Sequence, residues 1–259
     1  MTASKHEDER RIEPVSPPDW VEEDLDGATG RGVRVGIMDS GWDPALPLSR
    51  VRGGVGFVDP EDDLATQKTE NTDDRIGHGT ACGILTHQVA PDASLCPIRV
   101  FGETLETSPS TIGKAIKWAI DQNLDVVNVS LGTLRDDVLV PLYKVCEQAR
   151  RQDILLVASR HNQEERSYPS VFENVISVGI GPFDDPFDFR YRPNDAVECL
   201  AKGRHESVPW LNGHRRPLSG TSFAAPNITG IVARIRECYP GADLETVRSL
   251  LDTFAVSES

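Results

Sequence analysis

The stretch PLSGTSFAAPNITGIVARI, residues 217–235, opens on small polar residues and turns apolar from Ile228. This pattern predicts a loop running into a buried helix. Pro226 is expected in its first turn, where a missing N–H has no helical partner to lose. Ser222 places a hydroxyl where the helix starts. There the free backbone N–H groups and the macrodipole favour negative charge, which suits an oxyanion. On local pattern alone, a serine at this place is equally an N-cap.

Upstream, apolar runs and helical patterns alternate. VRVGIMD (33–39), SLCPIRVF (94–101), DVVNVSLG (125–132), ILLVAS (154–159) and NVISVGI (174–180) read as buried strands. Residues 80–90, 110–123, 137–151 and 242–255 read as helices, in addition to the one opened by the 217–235 stretch. In the second of these, Ile112, Ala115, Ile116, Ala119 and Ile120 recur at helical spacing, with Ser110 or Thr111 as the expected cap. Apolar strands separated by helices imply an α/β fold: three layers, αβα, around a mainly parallel sheet. In such a sheet, functional groups gather in loops at the carboxyl ends of strands. Residues 1–16 read as an acidic tail and 17–259 as a single domain.

The chain has 259 residues, 38% apolar and 26% charged, with a formal net charge of -14. That balance argues against nucleic acid or an anionic membrane as partner. No run approaches a membrane span, and MTASKHEDERRIEPVSPPDW carries no apolar leader. The five cysteines are scattered, without CxxC or metal-ligand spacing. A cytoplasmic protein with reduced thiols is the expectation.

Three pieces can carry chemistry. Asp39, in IMDSG, follows a buried strand, where a carboxylate can orient an imidazole. His78, in RIGHGTACG, lies between glycines at a helix entrance. Ser222 is the third. Taken singly, they also fit a turn aspartate, a core histidine and a cap. Their types are those of a nucleophile, its base and the base's orienter, on three separate loops of one expected sheet, but the spacing alone does not show that they converge.

These three stretches resemble the signatures of the subtilisin family of serine proteases, in that family's order of Asp, His, Ser. The resemblance runs from about Pro17 to the last helix. It implies a serine endopeptidase acting through Asp39, His78 and Ser222 and an acyl-enzyme. VSLG (129–132) matches the segment that pairs with substrate backbone, so Ser130, Leu131 and Gly132 inherit substrate binding. VASRHNQ (157–163) matches the strand and turn that place an oxyanion donor, which makes Asn162 that donor and the Ser222 N–H its companion. The implied partner is a peptide or protein substrate, with a separate inhibitor or regulator, and kcat/KM is expected to rise through pH ~6.5–7. A dedicated intracellular or maturation protease is the reading of the small size.

Several positions depart from the family pattern. His161 stands where a glycine precedes the oxyanion asparagine. The segment from Asn162 to Pro169 is short and carries Glu164, Glu165 and Arg166. The family's inserted calcium loop is missing after His78, so no cofactor is expected to be required. The acidic runs 59–63 and 184–188 leave room for weak calcium binding. Cys82, one turn below His78, predicts sensitivity to mercurials, although a small buried hydrophobe is the plainer reading. The alternative, kept open by His161, is an impaired pseudoprotease acting as a peptide-binding module. A Gly-x-Ser-x-Gly hydrolase, an HExxH zinc enzyme and a GxGxxG dinucleotide binder all lack their motifs.

Overall fold

The computed structural model describes residues 25, 27–58, 67–163 and 166–256. The tail 1–16, the acidic run 59–63 and Glu164 and Glu165 lie outside the described residues.

The strands are β1 (Arg34–Asp39), β2 (Val55–Val58), β3 (Gln67–Thr69), β4 (Ser94–Arg99), β5 (Val126–Val129), β6 (Leu155–Ser159), β7 (Ile176–Gly181), β8 (Phe189–Tyr191), β9 (Cys199–Lys202), β10 (Arg204–Pro209) and β11 (Arg215–Ser219). The helices are α1 (His78–Val89), α2 (Pro109–Asp121), α3 (Leu139–Arg151), α4 (Thr221–Cys238) and α5 (Leu244–Phe254). One nine-stranded sheet runs β3-β2-β4-β1-β5-β6-β7-β9-β8. The inner pairs are parallel, and β3 and β8 add antiparallel edges. β10 and β11 form a separate hairpin.

β5 and β6 are buried along their whole length, as strands covered on both faces must be. One core joins the sheet to α1, α4 and α5. The other joins it to α2 and α3. Gly230 permits the close approach of α1 and α4, because a Cβ there would stand 2.5 Å from the Cβ of Val89. The three-layer αβα arrangement is as expected.

Two expectations need correction. The cap of α2 is Ser108, whose side chain accepts from the Thr111 N–H, rather than Ser110 or Thr111. Pro109 explains this, since it fits the first helical position and moves the start upstream. Pro226 falls in the second turn of α4, not the first, because the helix already begins at Thr221. The consequence appears at the site.

Candidate active site

β1 ends on Asp39, which is fully buried. The Ser40 N–H donates to its Oδ1 at 2.7 Å. His78 opens α1, preceded by Gly77 at φ 99, a left-handed conformation that glycine adopts freely. His78 Nδ1 lies 2.8 and 2.9 Å from the two oxygens of Asp39. A carboxylate can only accept, so the ring proton belongs on Nδ1, and Nε2 of the neutral ring is bare. Burial works against charge on His78, but Asp39, with a smaller contribution from Cys82, raises the pKa well above the ordinary 6.5. The Phe223 ring packs on the imidazole with centroids 4.9 Å apart.

Ser222 is the second residue of α4, and Gly220 occupies the cap position without a side-chain bond. The serine is therefore not a cap. Its Oγ donates to the Ser130 carbonyl at 3.4 Å, and no hydrogen bond links it to His78. Catalytic bonds of this kind often tighten only with substrate bound.

The position of Pro226 now has a role. In a helix, the N–H of residue 226 would bond to the carbonyl of Ser222, and proline has none to give. That carbonyl instead accepts from Ser130 Oγ at 3.0 Å and Cys82 Sγ at 3.4 Å. Ser130 Oγ in turn accepts from Asn128 Nδ2 at 2.8 Å, and Asn128 Oδ1 accepts from Thr229 at 3.1 Å. The backbone bearing the nucleophile is thus tied to β5.

Asn162 Oδ1 accepts from the Thr221 N–H at 3.0 Å and from Thr221 Oγ1 at 3.1 Å. An N–H can only donate, which fixes the amide orientation and leaves Nδ2 without an acceptor among the described residues. His161 is not among the non-glycine residues with positive φ, so its place requires no glycine.

Cys82 is fully buried, and burial, aided by Asp39, pushes its thiol up to about 11. It is a protonated donor to Ser222, not a reactive thiolate. Asp39, His78 and Cys82 come close enough to ligate an ion. Ligation would require the thiol to deprotonate and Asp39 to give up the imidazole N–H. In the other acidic run, the Asp185 carboxylate accepts from the Phe187 N–H and the Asp184 carbonyl from Lys202.

The sequence profile described as "Subtilase family" matches residues 30–258. The chain belongs to the subtilase family. It is 31% identical to "Intracellular serine protease" of Paenibacillus polymyxa over 227 residues, 80% of this chain and 68% of that protein. It is 29% identical to "Subtilisin E" of Bacillus subtilis over 246 residues, 88% of this chain and 62% of that protein. Among solved structures, a cold adapted subtilisin-like serine proteinase superposes with a TM-score of 0.74 at 22% identity, covering 88% of this chain and 83% of that one. The chain spans about three fifths of the length of several matched relatives.

In this subtilase, His78 and Ser222 face one cavity of about 500 Å³. Ser130, Leu131 and Gly132 also line it. Its outer part comes from residues the sequence reading did not single out: Phe101, Leu105, Glu106, Thr107, Thr133 and Leu134. Leu105 and Leu134 are 51% and 49% exposed. A larger hollow, about 650 Å³, lies away from His78 and Ser222, against Glu198, Arg248 and the start of α5. A Glu198–Arg248 ion pair, 2.8 Å, lies in it, and no histidine or cysteine is among the described residues that line it.

Proposed function

We propose that this subtilase hydrolyses peptide bonds through Asp39, His78 and Ser222. His78 Nε2 takes the Ser222 proton as Oγ attacks the carbonyl carbon. Asp39 keeps the other ring nitrogen protonated and stabilises the imidazolium that forms. The oxyanion is received by Asn162 Nδ2 and the Ser222 N–H. His78 then protonates the leaving amine, and water repeats the steps on the acyl-enzyme. The observation that carries this reading is the 2.8 Å Asp39–His78 contact, which leaves Nε2 bare in the cavity that Ser222 shares. A peptide-binding module has no use for that buried pair.

The cavity supports a substrate class. Leu105, Leu131 and Leu134 suit an apolar side chain, and Glu106 beside them suits a basic neighbour. A cytoplasmic setting is supported by the relative named as intracellular. Among the described residues, no helix is long and apolar enough to cross a membrane. The test is hydrolysis of peptides carrying an apolar–basic pair, with cleavage products weighed by mass spectrometry. Cleavage by the wild type that vanishes in Ser222→Ala supports the reading. Equal cleavage by both proteins contradicts it.

A further inference from the structure

Two buried carboxylates near His78 take no part in that chemistry. Asp74 is 7% exposed and Asp43 is 5% exposed. Asp74 Oδ1 accepts from the N–H groups of Ile76 at 2.9 Å and Gly77 at 2.7 Å. Its Oδ2 accepts from the Thr80 N–H at 2.9 Å and the Thr80 hydroxyl at 2.7 Å. The same hydroxyl accepts from the Asp43 N–H at 2.9 Å. Asp43 Oδ2 then accepts from the Asn212 N–H at 2.8 Å. Asn212 lies between β10 and β11, and β11 leads through Gly220 and Thr221 into Ser222.

We infer that Asp74, Thr80 and Asp43 are positioning residues that hold the His78 turn and the hairpin before Ser222 in one fixed arrangement. The inference rests on His78 being the base. Asp74 is not the helix cap, a place taken by Gly77. It gathers the free N–H groups on both sides of His78, at the positive end of α1, where a buried carboxylate is stabilised without a cation. A second contact joins the same two parts. The Trp210 ring lies against Gly77 so closely that a Cβ there would stand 2.4 Å from it. The linkage therefore controls how the imidazole faces the hydroxyl, and a displacement of about 1 Å between such groups can cost about 10²-fold in rate.

Thr80→Val removes the hydroxyl at nearly constant shape, and Thr80→Ser restores it. Both are made in the full chain. The kcat of Thr80→Val is expected to fall about 10²-fold with KM within about threefold, and that of Thr80→Ser to return to within about threefold of wild type. The proton resonance of His78 Nδ1–H is read in parallel, in a Ser222→Ala background. Thr80→Val should shift or broaden it, and Thr80→Ser should leave it in place. This readout holds even if the wild type hydrolyses no peptide tested, so it separates this inference from the proposed activity. An unmoved resonance in a folded Thr80→Val protein overturns the inference. So does a kcat that Thr80→Ser fails to recover.

Discussion

Asp39, Asp43, Asp74, His78 and Thr80 are all buried. On the opposite side of the same cleft, Leu105 and Leu134 are about half exposed, and no cation pairs with Glu106 among the described residues. On the buried side, Asp39, Asp43 and Asp74 each accept hydrogen bonds from neighbouring backbone N–H groups. The exposed side is a rim of side chains waiting for a partner. The groups assigned to chemistry are fixed before substrate arrives, as electrostatic preorganisation requires. Those assigned to choosing the substrate can change without disturbing them.

Substitutions can break this contrast, beginning on the buried side. Asp39→Asn should lower kcat by about 10⁴-fold, because the amide no longer dictates the Nδ1–H tautomer. Its pH profile should move as well. The base must be neutral, and Asp39 raises the His78 pKa, so wild-type kcat/KM should climb only at a pH above 6.5. That limb reports the Asp39–His78 pair. In Asp39→Asn it should fall back, as measured by kcat/KM from pH 5 to 9.

Asn162→Ala should lower kcat about 10²–10³-fold with little change in KM, a magnitude known for subtilisin itself rather than obtained from this chain. Thr221→Val is expected to reproduce part of that loss, since it removes one of the two bonds fixing the amide.

At the rim, effects should be smaller and should fall on selectivity. Glu106→Gln should reduce the preference for a basic over an acidic residue beside the apolar anchor by about fivefold, as expected for one solvent-exposed charge pair. The ratio of kcat/KM for matched peptides measures it, and added salt should shrink the wild-type preference. Smallest of all, chelation should leave kcat/KM unchanged, because no step of the proposed mechanism passes through a metal.

The sequence revealed the buried half of the molecule best. Fully apolar strands such as VVNV and LLVAS are legible because both their faces need cover. β2, β3, β8, β9, β10 and β11 have no counterpart in the sequence reading; β3 has three residues, and both β3 and β10 are largely exposed and carry no apolar run. Asp39, His78 and Ser222 stood out through motif resemblance, and in the structure His78 and Ser222 line one cleft with Asp39 buried against the His78 ring. Asp74 and Asp43 did not stand out, since an aspartate in a turn looks alike whether solvated or buried. The service of Pro226 to the Ser222 carbonyl became visible only once the helix start was known. Mercurial sensitivity at Cys82 stays an expectation, and full burial with a pKa pushed up to about 11 makes its modification slow.

The central claim is that Ser222 is an activated nucleophile, and fluorophosphonate labelling tests it most directly. Wild type and Ser222→Ala would be treated alike and the adduct located by mass. One adduct per chain, on Ser222 and lost in the variant, is the predicted result. A folded wild-type protein that takes up no label would contradict the account.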